Sequence, residues 1–276
     1  MDKVLLMDCQ PELMQTLSEL FGDQVSLQTE ISGKNLNGFK MVVIQDSEDR
    51  DGVLRSIRSL RYALKFRNVP LVLIRKKGTR TPVQQYIMAG AAEVLSLGDH
   101  PAACRQILKS YLIPSRQPLD QEQEYLAPFI NNTRHVLKTM AAVEAEFQEV
   151  YFSNDLRIFG DVSGIIGLSG EAEGTVVVTF YWNLARTIIA KMMQVDGEGV
   201  NAELIHDGVG ELVNMISGAS KKDFVGKPYH FELSLPTVIV GSGHQIGHPD
   251  DASIAVLIFD VGGDSFALQV SLKPRK

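Results

Sequence analysis

Apolar runs of strand length alternate with amphipathic stretches of helical length through the first 112 residues of the chain. The predicted strands lie at 4–7, 41–44, 71–74 and 94–95, and the predicted helices at 12–21, 52–66, 83–89 and 102–112. This alternation predicts a doubly wound parallel sheet with helices on both faces. A ligand site of such a sheet is expected at the carboxyl ends of its strands.

The pattern changes in the second half of the chain. A helix is predicted at about 122–145, two more helices follow, and strands are predicted at 149–152, 161–168, 174–181, 231–240, 252–260 and 265–272. Gly-Gly-Asp at 262–264 predicts a tight hairpin turn, because glycine tolerates the positive φ that such turns require. The second half therefore has the pattern of an α+β domain.

A linker separates these two patterns. Residues 113–123, IPSRQPLDQEQ, hold two prolines and mostly polar side chains between apolar, periodic segments. The whole chain of 276 residues is also about twice a typical domain length. We therefore predict two domains, at 1–115 and 120–276.

The composition is that of a globular protein, with 45% hydrophobic and 22% charged residues. No apolar run approaches the roughly 20 residues of a membrane span, and the N-terminal segment does not resemble a signal peptide. Cys9 and Cys104 are too few for a disulfide scaffold and too far apart for a chelating motif, which fits a reducing compartment. We expect a cytoplasmic protein without a membrane span.

The net charge of −6 is unevenly distributed. Residues 1–119 carry 16 Lys/Arg and 12 Asp/Glu, a balance of +4, whereas residues 120–276 carry 11 and 21, a balance of −10. One local basic cluster consists of Arg55, Arg58, Arg61, Lys65 and Arg67. Since neither half has a dense basic face with interleaved aromatics, we expect no nucleic-acid partner and interpret the cluster as a solvated helix face.

Three segments of the first domain resemble the receiver domain of two-component response regulators. KVLLMD at 3–8 is similar to the first receiver strand, FKMVVIQ at 39–45 to the phosphoacceptor strand, and MAGAAEVLSLG at 88–98 to the segment before the last helix. The resemblance covers most of residues 2–113 and implies a flavodoxin-like fold.

The chemistry of a receiver is missing from this domain. A receiver needs an aspartate nucleophile, an acidic pair for magnesium, a hydroxyl residue and a lysine, whereas the aligned residues here are Gln45, Asp8 and Cys9, Arg75, and Leu97. An amide cannot form the acyl phosphate, and one carboxylate beside a thiol is a poor site for Mg²⁺. We interpret the domain as a pseudo-receiver. A one-residue slip that makes Asp46 the acceptor remains an alternative, although the lysine and half of the metal pair would still be absent.

The most informative segment is HDGVGELVNMISG at 206–218. Glu211 and Asn214 are three positions apart, so a helix places them side by side on one face, with apolar neighbours able to pack beneath. Gly210 and Gly218 lower the helix propensity by roughly 1 kcal/mol each relative to alanine. These two glycines therefore call for a structural reason, such as close packing, or a functional one, such as access for a partner.

This helix resembles the signature helix of the CheC/CheX family of chemotaxis phosphatases. The matching pattern is Glu-Leu-x-Asn-x-Ile-x-Gly at 211–218. Residues 127–144 are similar to the opening helix of the family, 167–180 to its central hairpin, and 233–243 to the strand after the signature helix. The single motif makes the dimeric CheX branch the nearer match, and the resemblance spans about 150 residues.

The resemblance implies a phosphatase acting on a separate, phosphorylated response-regulator receiver. Asn214 would position the attacking water, Glu211 would pair with the lysine of the receiver, and no cofactor is expected because Mg²⁺ would belong to the receiver. The protein is expected to form a homodimer. The alternative function is a non-catalytic adaptor that binds receiver or chemotaxis proteins.

Other chemically suggestive residues are given no role. His244, His248, Asp250 and Asp251 are metal-ligand types, but glycines and a proline favour a loop between strands. Trp182 is expected to pack at a domain edge, and Asp207 to favour the positive N-terminal end of its helix. No metal site is predicted.

Overall fold

The computed structural model describes residues 2–22, 25–29, 36, 38–67, 69–76, 78–79, 81–98, 101–112, 125–153, 157–158, 160–227, 229–241, 244–245 and 254–275. The chain divides into two compact units, residues 1–115 and 116–276. Each unit has its own hydrophobic core.

The first unit is built on a five-stranded parallel sheet with the strand order β2-β1-β3-β4-β5. This is the flavodoxin-like order of a doubly wound sheet. Its strands are β1 (Asp2–Met7), β2 (Val25–Gln28), β3 (Phe39–Gln45), β4 (Leu71–Ile74) and β5 (Glu93–Leu95). The predicted fold class of this half is confirmed.

Helices cover both faces of this sheet. Those of the first unit are α1 (Pro11–Phe21), α2 (Arg50–Leu64), α3 (Val83–Ala89) and α4 (Pro101–Ser110). Leucines of α1 pack with Cys104 and Leu108 of α4 against one face, and α2 packs with Tyr86 and Ala89 of α3 against the other. Strands β3 and β4 are buried almost throughout because both of their faces are covered.

Two details of the first unit differ from the sequence predictions. Strand β2 was not predicted because its sequence, VSLQ, lacks a long apolar run, and only Val25 of its four residues is buried. Arg61 is not part of a solvated face: its guanidinium donates to the carbonyls of Gly90 at 2.8 Å and Val69 at 3.0 Å. It ties α2 to neighbouring loops, whereas Arg55 and Arg58 are exposed.

The second unit contains a seven-stranded antiparallel sheet. The order is β10-β8-β9-β14-β13-β6, and β11 also pairs with β8. The strands are β6 (Glu146–Ser153), β8 (Val162–Gly170), β9 (Ala172–Phe180), β10 (Phe231–Leu233), β11 (Thr237–Val240), β13 (Ile254–Val261) and β14 (Asp264–Pro274). Two short strands, β7 (Arg157–Ile158) and β12 (His244–Gln245), pair separately.

Three helices contribute to the core of this unit: α5 (Leu126–Ala141), α6 (Trp182–Met193) and α7 (Ala202–Lys222). Helix α7 contacts β8, β11 and both other helices. Trp182 begins α6 and packs against the core, as expected for an amphipathic aromatic at this position. The predicted α+β architecture is confirmed.

The main elements of the second unit follow the sequence prediction, but the short strands β7 and β12 were not predicted, and residue 244 was expected to lie in a loop. Two further details differ. The predicted strand at 231–240 is two strands, β10 and β11, separated by Ser234–Pro236. Helix α5 ends at Ala141 because Ala142 takes a left-handed conformation with φ of 49°. The hairpin turn is as predicted, with φ of 59° at Gly262 and 91° at Gly263.

None of the helices in the described part of the chain is both long and apolar enough to cross a membrane.

Candidate functional site

Helix α7 carries both predicted site residues, and its ends are well defined. The Asn201 side chain caps the helix by accepting a hydrogen bond from the amide of Leu204 at 2.9 Å. Glu203 lies in the first turn and Lys221 and Lys222 lie in the last, so the charges complement the helix dipole. Asp207 lies in the second turn instead of the first, and its side chain contacts His206.

One face of α7 is buried and the opposite face is open to solvent. The buried residues are Ile205, Val209, Gly210, Leu212, Val213, Ile216, Ser217 and Ser220. The acidic residues Glu203, Asp207 and Glu211 follow each other at four-residue spacing and are exposed. They form an acidic stripe along the N-terminal half of the helix.

Glycines allow α7 to sit close to its neighbours. A Cβ at Gly164 of β8 would lie 2.8 Å from the carbonyl oxygen of Val209, so the helix main chain passes directly over the strand. A Cβ at Gly208 would lie 2.4 Å from Cδ1 of Ile189 on α6. These contacts fix the position of α7 on the sheet and against the next helix.

The two glycines singled out in the sequence have different surroundings. Gly210 is buried against β11, where an added Cβ would lie 3.3 Å from Cγ2 of Val238. Gly218 is half-buried, and its nearest contact would be Cδ1 of Leu233 at 3.9 Å, an ordinary van der Waals distance. Close packing therefore explains why residue 210 is glycine, whereas an alanine side chain would fit at residue 218.

The carboxylate of Glu211 and the carboxamide of Asn214 stand side by side on the outer face of α7. Glu211 is exposed and Asn214 is half-buried. Their placement on one face of the helix follows from the three-residue spacing. Among the described residues, neither side chain has a hydrogen-bond or ion-pair partner. The site thus offers one anionic acceptor and one amide, which can both donate and accept.

The C-terminal end of α7 is tied to the edge of the sheet. Lys221 forms a salt bridge with Glu232 of β10, and the hydrogen bond from Lys221 lowers the pKa of the Glu232 carboxyl. This pair was not predicted from the sequence, because nothing in the local pattern indicates that α7 and β10 are neighbours.

The carboxyl edge of the parallel sheet contains the residues that replace receiver chemistry. The side-chain oxygen of Gln45 accepts a hydrogen bond from the backbone amide of Gln10. Asp8 is exposed and has a φ of 55°. The guanidinium of Arg75 donates to carbonyls of its own loop, and Leu97 packs against the core. The observed arrangement is consistent with the interpretation as a pseudo-receiver.

The side chain of Asp46, the alternative phosphoacceptor, is buried in the protein interior. Its carboxylate is only 3% exposed and accepts a hydrogen bond of 2.8 Å from the hydroxyl of the buried Tyr86. Burial of Tyr86, followed by this hydrogen bond and the Asp46 charge, raises the pKa of the phenol, although Thr81 and Arg75 oppose the shift. A phosphoacceptor must reach solvent, so this geometry argues against the slipped alignment.

The possible metal ligands near 244–251 lie largely outside the described residues. The backbone of His244 belongs to β12, while His248, Asp250 and Asp251 are not described. Among the residues that are described, no cluster of three or more His, Cys, Asp or Glu could hold a metal ion.

Comparison with known proteins concerns the second unit. The family model described as "Chemotaxis phosphatase CheX" matches residues 162–260, a range that contains α6 and α7 with the site. The second unit belongs to the CheX family. The family predicted from the signature helix is thereby confirmed.

Individual relatives of the CheX-family unit agree with this assignment. The "CheY-P phosphatase CheX" of Thermotoga maritima is 32% identical over 84 residues, and the chain spans about half (53%) of the length of this curated relative. Two crystal structures each cover 54% of this chain and are themselves covered to 99%, with a TM-score of 0.50. They are the chemotaxis proteins CheX of Vibrio vulnificus, 32% identical, and of Desulfovibrio desulfuricans, 29% identical.

Proposed function

We propose that this protein hydrolyses the aspartyl phosphate of a separate response-regulator receiver in chemotaxis or related two-component signalling. The observation that carries the proposal is the pair formed by the exposed Glu211 and the half-buried Asn214, without partners among the described residues, on one helix of a CheX-family unit. The name of the Thermotoga maritima relative, a phosphatase of phosphorylated CheY, supports the same reaction.

The reaction consumes one water molecule. The water oxygen attacks phosphorus, the bond between phosphorus and the carboxylate oxygen breaks, and the receiver aspartate and inorganic phosphate are released with the proton on phosphate or in solvent. Asn214 holds the water in line with the breaking bond, since a carboxamide can donate and accept without becoming charged. Glu211 pairs with a cation beside the phosphorylation site of the receiver. Any Mg²⁺ is bound by the receiver.

The substrate must be another protein. Gln45 stands where the first unit would need its nucleophile, and a carboxamide cannot form an acyl phosphate. The first unit is therefore proposed as a non-catalytic pseudo-receiver.

The test is a hydrolysis assay with radiolabelled phosphorylated receivers encoded near this gene. Asn214→Ala is expected to lower kcat by about a hundredfold or more, because orientation of the water is lost. Asn131→Ala is a matched control, since Asn131 is an exposed asparagine on another helix, α5. An unchanged kcat for Asn214→Ala would rule out the water-positioning role.

The same assay separates the enzyme from the adaptor. A phosphatase shortens the lifetime of the phosphorylated receiver, whereas an adaptor binds the receiver and leaves the lifetime unchanged. The degenerate residues of the first unit are the observation that favours the adaptor, because that unit has lost its chemistry and kept its fold.

A further inference from the structure

The edge strand beside α7 is interrupted by a three-residue bulge, Ser234–Pro236. The amide of Ser234 donates to the carbonyl of Gly167 at 2.9 Å, and the amide of Gly167 donates to Oγ of Ser234 at 2.9 Å. The serine hydroxyl thus replaces a main-chain acceptor, and it also donates to the carbonyl of Leu235. These three hydrogen bonds hold the bulge in one conformation.

This bulge lies beside the face of α7 that carries Asn214. A Cβ at Gly218 would contact Leu233, whereas one at Gly210 would contact Val238 and lie 4.0 Å from Cβ of Pro236. Asn214 is one turn from each glycine and shares their side of the helix. The chain between Leu233 and Pro236 therefore passes alongside Asn214.

The bulge directs one large apolar side chain into solvent. Leu235 is 88% exposed, more than any other large hydrophobic side chain in the described part of the chain. Single exposed leucines are common on protein surfaces. Leu235 differs because hydrogen bonds of Ser234 hold its segment next to the helix face that carries Asn214, a polar side chain without a partner among the described residues.

We propose that Leu235 is a contact residue for the receiver substrate and packs on an apolar patch beside its phosphorylated aspartate. The inference rests on the proposed function, because the protein that binds at Leu235 is taken to be the same receiver that Asn214 and Glu211 act on. A receiver that places its phosphate at Asn214 also covers the adjoining bulge. Leu235 is then desolvated on binding and contributes to affinity without touching the reacting atoms.

The test uses the full-length protein and its phosphorylated receiver. Leu235→Ser is expected to raise KM about tenfold, which corresponds to about 1.4 kcal/mol, with kcat unchanged. Val225→Ser is the matched control, since Val225 is 68% exposed and lies in the turn after α7. Both variants should keep the melting temperature of the wild type, because neither side chain is buried. An equal KM for the two variants would overturn the inference.

A second variant tests the bulge without changing Leu235. Ser234→Ala removes the acceptor for the amide of Gly167, so the bulge loses a fixing contact and KM should rise while kcat stays the same.

Light scattering of Leu235→Ser gives a further check. If the substitution changes the oligomeric state and leaves KM unaltered, Leu235 belongs to a contact between copies of this chain and the inference is wrong.

Failure of the inference can be distinguished from failure of the proposed function. If Asn214→Ala loses activity and Leu235→Ser keeps a normal KM, only the inference fails. If the wild type hydrolyses no receiver, binding to the phosphorylated receiver is measured by fluorescence anisotropy. If Leu235→Ser then binds the receiver more weakly than the wild type does, Leu235 is a contact residue of an adaptor. If the variant binds as tightly as the wild type, or if the wild type does not bind the receiver at all, the inference is overturned.

Discussion

Gly164 lies directly beneath the main chain of Val209, so that a Cβ at residue 164 would approach the carbonyl oxygen of residue 209 to 2.8 Å. The obstacle is backbone, which cannot turn aside as a flexible side chain can. The height of α7 above β8 therefore depends on the absence of a side chain at Gly164. The position of Asn214, five residues after Val209 on the same helix, depends on it as well.

Gly164→Ala is expected to destabilise the protein by about 1–3 kcal/mol, because α7 must move away from the sheet. Gly218→Ala should instead stabilise it by up to about 1 kcal/mol, since its Cβ meets only an ordinary contact and alanine favours the helix. Chemical denaturation of the two variants measures both changes. If Gly164→Ala were as stable as the wild type, the close packing of α7 on β8 would not contribute to stability.

Glu211→Gln tests the anchoring role. The substitution keeps the size of the side chain and removes its charge, so the KM for a phosphorylated receiver is expected to rise about tenfold with little change in kcat. The KM difference should shrink at high ionic strength, because salt screens exposed charges. Glu203→Gln, on the same acidic stripe, is the control, and an equal KM for both variants would refute the anchor.

Cys9 is expected to be a poorly reactive thiol. Burial, reinforced by the charge of Asp8 and partly offset by backbone hydrogen bonds, raises the pKa of Cys9 from 9.0 to about 11. At pH 8 its thiolate fraction is then about a hundredfold below that of an ordinary cysteine. Alkylation by iodoacetamide, followed by peptide mass spectrometry, should accelerate between pH 9 and 11. Rapid labelling at pH 7 would contradict the burial of this thiol.

The same shift has a consequence for stability. The folded-state pKa is raised, so Cys9 ionises more readily in the unfolded chain, and the native state loses stability as the pH rises above 9. Cys9→Ser should flatten this alkaline part of the pH–stability curve.

A homodimer is proposed from the family resemblance, joined through sheet edges or flanking strands of the second unit. Light scattering of the full-length chain should then give about twice 30.5 kDa. Val240, 55% exposed on β11, is a suitable position for a disrupting charge. Val240→Lys should yield a monomer that remains folded, and a dimer of undiminished stability would place the interface elsewhere.

The sequence predicted those elements whose patterns are local. The buried strands β3 and β4 are continuous apolar runs, so their positions were predicted within a few residues. The amphipathic segment 206–218 was treated as helical and lies within α7. The side-by-side placement of Glu211 and Asn214 follows from helical geometry alone.

The features that the sequence did not reveal depend on contacts between distant segments. The neighbours of Gly164 and the pairing of Lys221 with Glu232 appear only when the helix lies on the sheet. The split of the predicted strand at 231–240 had a local signal, since a proline within a strand pattern indicates an edge or a break. Burial of Asp46 against Tyr86 had none, because the two residues are 40 positions apart.

The Ser234–Pro236 bulge also restricts how other polypeptides can add to this sheet. A strand that joins an open edge needs a continuous row of amides and carbonyls, and here the row is divided into the three residues of β10 and the four of β11. Pro236 has no amide proton to contribute between them. The β10–β11 edge therefore offers docking segments too short for open-ended stacking of chains, which would have to use this edge as well as the opposite edge at β6. The interruption thus protects the folded protein against fibrillar aggregation of this kind.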